Sequence, residues 1–244
     1  MYLVIYPATK RSATVAKAEV VSSGIVGYSY VPVSMGYSAF TPVFKDVSGD
    51  AIDLKSIVPY SENGSDLGTS KGKIYLYKLN SSGDYANTYN WNSSKGGWCV
   101  GSTLVENGAV TLANGEGLAV YNNQGRAISF QVSGAVDLVC LNAVPMNYSM
   151  FGNFTPVQID LQDITPKNED GTDLGSSKGK IYIYVLDSAG AYTSTYNYNS
   201  SKGGWCVGST LVTEGTQTFD AGAAFAVYNN QGKAIAFQLP SPIQ

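Results

Sequence analysis

Histidine is absent from the 244 residues, and cysteine occurs only three times. Without histidine, the Ser-His and Cys-His nucleophile pairs cannot be built, and the commonest ligand of zinc and haem is missing. Cys99, Cys140 and Cys206 do not fall at metal-ligand spacing, and an odd number does not make a disulfide scaffold. Cys99 follows Trp98 and precedes Val100, so it reads as a small buried hydrophobe rather than a reactive thiol. Charge is sparse as well. Only 14% of residues are ionised and the net charge is −3, which gives no electrostatic reason to expect nucleic acid or an anionic membrane. Long apolar runs are missing too: the first run, Tyr2, Leu3, Val4, Ile5 and Tyr6, is far too short to span a bilayer. Its basic neighbours, Lys10 and Arg11, come after it, the reverse of a signal peptide. The expectation is a chain that stays in the cytosol where it is made, or one whose export signal has been removed. No cofactor is expected.

What the chain does have is a long internal repeat. Asn-Ser-Ser-Lys-Gly-Gly-Trp-Cys-Val-Gly-Ser-Thr-Leu-Val runs from Asn92 to Val105 and again from Asn199 to Val212. The offset of 107 carries residues 66–131 onto 173–238 without a gap, with 45 of 66 positions identical. A duplication of that length means one structural unit made twice. The reading is a module at 21–131, a second at 132–244, and an N-terminal arm or edge strand at 1–20. Phe40-Thr41-Pro42-Val43 matches Phe154-Thr155-Pro156-Val157, which places seven extra residues of the first module around positions 46–64, in a surface loop.

Eighteen tyrosines, 27 glycines and little charge suit an all-β chain with many tight turns. Lys73–Leu79 and Lys180–Leu186 alternate strictly, with Tyr75 and Tyr77 on one face and Ile74 and Leu76 on the other. Strands are expected over Tyr85–Trp91, with Tyr85, Tyr89 and Trp91 on one face, and over Trp98–Leu104, Val110–Leu112, Leu118–Tyr121 and Ala127–Val132. The apolar stretch Val136–Val144 reads as the first strand of the second module. Short strands at roughly ten-residue spacing predict two tandem, homologous antiparallel β-sandwich (or small barrel) modules.

Catalysis finds little support. Asp84, Glu106 and Glu116 map onto Ala191, Thr213 and Ala223, leaving Asp66/Asp173 as the acidic pair of the aligned segment. One carboxylate per unit does not supply the two of glycoside hydrolysis. The Lys-Gly-Gly and Asn-Asn-Gln-Gly segments read as turns, not phosphate loops. Trp98 and Trp205 read as core residues. Tyr89, Trp91, Tyr196 and Tyr198, interleaved with Asn90, Asn92, Asn122 and Asn123, form a candidate binding surface, with Trp91 and Tyr198 expected to be exposed.

The sequence from Gly152 to Phe237 carries Gly-Asn-Phe-Thr-Pro-Val, a Tyr-rich hairpin, Gly-Gly-Trp and Phe-Ala-Val-Tyr-Asn-Asn. In this pattern it resembles β-modules of surface and virion proteins of bacteria and their phages. The first module departs from it, with Ser38-Ala39 where the second has Gly152-Asn153. The resemblance implies a non-enzymatic building block or decoration protein, partnered by other protein subunits and located in a virion assembled in the host cytoplasm. A carbohydrate-binding surface protein, with a glycan as partner, is the alternative, and a cell-surface filament or S-layer subunit the third reading. In the assembly reading the arm residues Tyr2, Leu3, Val4, Ile5 and Tyr6 add as a strand to a neighbouring subunit.

Overall fold

The computed structural model describes residues 26–47 and 51–242. The arm expected at 1–20 lies outside the described residues. Eleven strands come from the first repeat: β1 (Val26–Val33), β2 (Gly36–Phe40), β3 (Ala51–Asp53), β4 (Val58–Ser61), β5 (Ile74–Leu79), β6 (Tyr85–Asn92), β7 (Gly97–Val100), β8 (Thr103–Leu104), β9 (Thr111–Ala113), β10 (Leu118–Asn122) and β11 (Ile128–Ala135). The second contributes β12 (Leu141–Val144), β13 (Asn147–Gly152), β14 (Ile159–Asp160), β15 (Thr165–Lys167), β16 (Ile181–Leu186), β17 (Tyr192–Asn199), β18 (Gly204–Val207), β19 (Thr210–Leu211), β20 (Thr218–Phe219), β21 (Ala224–Asn229) and β22 (Ile235–Gln238).

The chain is all-β and its sheets are small and antiparallel, with four larger ones in a propeller-like arrangement of four blades. Two come from each repeat. The sheet β1-β11-β4 recurs as β12-β22-β15, and β2-β10-β5-β6-β7-β8 as β13-β21-β16-β17-β18-β19. A two-stranded pair, β3-β9, recurs as β14-β20. The order is therefore identical in the two copies. An ungapped repeat demands this, because a residue inserted in a strand would turn its faces over.

Strand pairing corrects the alignment upstream of the repeat. Ile52 lies opposite Leu112 and Ile159 opposite Phe219, and Leu112 and Phe219 are 107 apart. The offset of 107 therefore reaches back to Ile52, and no insertion lies within 52–66. Phe40 pairs with Leu118 and Phe151 with Phe225, so Phe40 corresponds to Phe151 and not to Phe154. Twelve residues separate Phe40 from Ile52 and eight separate Phe151 from Ile159, so the first repeat is four residues longer there. The Phe-Thr-Pro-Val match joined segments that sit at different places in the fold.

Two strand expectations also change. Trp98–Leu104 is two strands, β7 and β8, divided at Gly101, whose φ of 59° is open mainly to glycine. Of Val136–Val144 only Leu141–Val144 is a strand. The preceding bend is held by buried Asp137, whose carboxylate accepts from the Val139 N–H and from the Asn114 and Asn142 side-chain amides.

Each repeat buries a large apolar cluster, filled from its three-stranded and six-stranded sheets, and a third, small one of Met150, Ala224 and Ala226 packs against Ala39 and Leu79. Trp98 and Trp205 are fully buried in these clusters, as the sequence implied, and each indole N–H donates to a backbone carbonyl, Ile57 or Ile164, at 2.7 Å. That bond is why so large a ring with a polar atom fits a dry core. Cys99, Cys140 and Cys206 are free thiols and buried. Asn122, expected in a turn beside the candidate surface, is completely buried, as is its counterpart Asn229. The Asn122 amide donates to the Ser34 and Arg126 carbonyls and its oxygen accepts from the Gln124 N–H, tying the β1–β2 connection to the β10–β11 turn. Trp98→Ala should lower unfolding free energy by about 3–5 kcal/mol through cavity formation and loss of the indole donor. Trp205→Ala should do the same in the second repeat, both read by urea denaturation.

Candidate functional site

The outer face of each six-stranded sheet carries a row of five tyrosines. On β5, Ile74 and Leu76 are fully buried while Tyr75 and Tyr77 project outward, half-buried. Tyr121 of β10 lies between Tyr75 and Tyr37 of β2 and is paired directly with both. Side chains opposite one another on adjacent strands share a face, so the three rings stand in a line across the sheet. Centroid distances are 4.7 Å for Tyr37–Tyr121, 6.3 Å for Tyr121–Tyr75 and 6.3 Å for Tyr75–Tyr77.

Tyr85 joins the row through a β-bulge. The register between β5 and β6 shifts at Lys78/Leu79, so Leu79 pairs with Tyr85 after Lys78 has paired with Asn87. The extra residue turns Tyr85 outward, 5.0 Å from Tyr77, while Tyr89 and Trp91 remain inside. The sequence-based placement of Tyr85, Tyr89 and Trp91 on one face is thus overturned by one bulged residue. The second repeat has the same bulge at Val185/Leu186 and the same row, Tyr148, Tyr228, Tyr182, Tyr184 and Tyr192.

The two rows meet where the repeats dock. Tyr37 donates its N–H to the Ser188 carbonyl at 2.9 Å, and Tyr148 donates to Ser81 at 3.3 Å. These are the same bond made twice, with the repeats exchanged. Gly190 lies under the Tyr37 ring and Gly83 under the Tyr148 ring; a Cβ on either would come within 3.0 Å and 3.1 Å of ring carbon. Tyr192, at the end of the second row, is among the neighbours that raise the Tyr85 phenol. Burial and neighbouring phenols push Tyr77, Tyr85 and Tyr184 up to about 12, and Tyr192 upward for the same reasons. Ten of the 18 tyrosines therefore form one surface across the junction.

The surface expected from sequence is elsewhere. Tyr89, Trp91 and Tyr196 are buried at 6%, 7% and 8% exposure and belong to the apolar clusters. Trp91 meets Trp98 edge-on at 5.3 Å, and the Tyr196 hydroxyl donates to Gln217. Tyr198, half-buried, packs edge-on to Trp205 at 5.4 Å, and burial raises its pKa. The expected exposure of Trp91 is corrected. The neighbouring asparagines are committed internally: Asn90 donates to Cys99 and Gly101, and Asn92 accepts from Ser94 and Lys95.

With the repeat extended to Ile52, Asp53/Asp160 and Glu62/Glu169 join Asp66/Asp173 as shared acidic pairs. Asp53 accepts from the Lys55 and Gly108 amides, and Asp160 accepts from Gln162 and Gly215. Each carboxylate caps a 3₁₀ turn and ties it to a distant loop. These are structural roles. Among the described residues no three or more acidic or cysteine side chains gather in a metal-binding group, and no helix is long and apolar enough to cross a membrane.

Raised tyrosine pKa values have a defined consequence for stability. The phenols are more readily ionised in the unfolded chain, near 10, than in the folded one. Unfolding therefore releases protons between about pH 10 and 12, and stability falls as pH rises through that window. Spectrophotometric titration should show a tyrosine group ionising late, with denaturant midpoints dropping over the same interval. No family model, curated protein or solved structure matches this chain.

Proposed function

We propose that the protein is a non-enzymatic structural subunit, a building block or decoration of a larger assembly of the kind that makes a phage particle. The observation that carries this reading is the ten-tyrosine face spanning both repeats. Tyrosine gives large contact area at low entropic cost and is enriched in protein interfaces. The rings stand close beside one another, at 15° to 34° between planes within the first repeat's row. Each ring thus has another ring beside it, and the Tyr75 and Tyr182 hydroxyls already donate to the Gly72 and Gly179 carbonyls. That arrangement favours a protein partner over sugar stacking, which needs an open ring face.

In this reading each repeat is a β-sandwich module whose two larger sheets close on one core. Residues 1–20 provide a second attachment, adding as a strand to a neighbouring subunit. Localisation is the virion, assembled in the host cytoplasm. The second reading, glycan binding through Trp91 and Tyr198, is disfavoured by the burial of Trp91.

Tyr85 and Tyr192 are the most exposed members of the rows, at 39% and 41%. The double variant Tyr85→Glu/Tyr192→Glu should fold with little change in thermal midpoint yet be lost from the particle fraction of producing cells. Gradient sedimentation with mass spectrometry reads this. A wild-type protein that sediments only as free chain contradicts the proposal.

A further inference from the structure

The two repeats meet at two pseudo-equivalent junctions, and these differ in chemistry. At one, the β5–β6 and β9–β10 regions of the first repeat face β13 of the second across a cleft of about 420 Å³. Lys78, Ser81, Asn114, Glu116, Pro145 and Met146 are among its walls. Lys78 Nζ lies 2.6 Å from Glu116 Oε1, and Glu116 Oε2 accepts from the Ala113 N–H. Asn114 donates to Asp137, while its buried carbonyl oxygen has no hydrogen-bond partner. At the other junction the places of Lys78, Asn114 and Glu116 are taken by Val185, Ala221 and Ala223.

Valine and alanines are sufficient to join the repeats, so docking does not require the polar set at the first junction. We propose that this cleft binds a small neutral polyhydroxylated ligand of the monosaccharide class. The charges of Lys78 and Glu116 neutralise each other, and a charged ligand would claim one and leave the other unpaired. An ammonium donor and a carboxylate acceptor side by side suit hydroxyl groups, which donate and accept from one atom. Pro145 and Met146, the latter 43% exposed, offer an apolar wall to the C–H face of a sugar ring. The volume falls in the range of about 300–1,000 Å³ usual for small-molecule pockets. This site borders the tyrosine face at Tyr148, which lines one side of it, and does not depend on the assembly reading.

Saturation-transfer NMR on the full chain with glucose, galactose, mannose and N-acetylglucosamine, each alone, tests it. At least one should receive saturation from the wild-type protein. Lys78→Val/Glu116→Ala, which installs the side chains of the other junction, should weaken binding about tenfold or more, the equivalent of 1.4 kcal/mol. Met146→Trp, at an exposed position on the cleft, should block binding independently and guards against misfolding of the double variant. Absence of transfer to all four sugars overturns the proposal. So does transfer that both folded variants retain unchanged.

Discussion

The structure depends on reciprocal docking of the two repeats about a pseudo-two-fold axis. Each edge strand, β2 or β13, gives its outer backbone edge to the other repeat. Tyr37 and Thr41 donate to Ser188 and Gly222, and Tyr148 and Gly152 donate to Ser81 and Gly115. Gly117 also donates to Met150, and these five bonds contribute about 1 kcal/mol each, so specificity of fit counts for as much as energy. That fit relies on small residues. A Cβ on Gly117 would stand 2.9 Å from the Cβ of Ala224, and these are equivalent positions of the two repeats. Two alanines would collide at that point of closest approach. A symmetric pair of identical units would have to place a smaller residue there in both; a duplicated chain needs it only once.

Docking also makes the tyrosine face continuous. It seats Tyr37 on Gly190 and Tyr148 on Gly83, so that two rows of five become one surface. All five tyrosine positions are kept in both copies, whereas Lys78, Asn114 and Glu116 have counterparts of quite different chemistry. One feature has stayed symmetric through duplication and another has diverged. This supports separate roles for the face and the cleft.

Much of this architecture was legible in the sequence because strand alternation and an ungapped repeat constrain each other. Ile74, Tyr75, Leu76 and Tyr77 fall on the faces their order implies. Three features escaped for physical reasons. The bulge at Lys78/Leu79 leaves no sign in a pattern of period two, which puts Tyr85 on one face with Tyr89 and Trp91. The Trp91/Tyr198 exchange suggested a surface position, but both rings meet the core indole edge-on at nearly the same distance, 5.3 and 5.4 Å, a contact either aromatic can make. The Phe-Thr-Pro-Val identity set the upstream alignment, whereas the strands pair according to the match of Ile52-Asp53-Leu54 with Ile159-Asp160-Leu161. Pairing partners, which a single sequence does not reveal, decided that register.

Amide hydrogen exchange at Tyr37, Thr41, Tyr148 and Gly152 tests the central claim most directly, because these four N–H groups donate only across the junction. If docking is integral to the fold, they should exchange as slowly as interior amides of β5 and β10, and all four should be released together on partial destabilisation. Exchange at the rate of exposed loops, with β5 and β10 still protected, would show that the repeats stand apart and that the tyrosine face is not one surface.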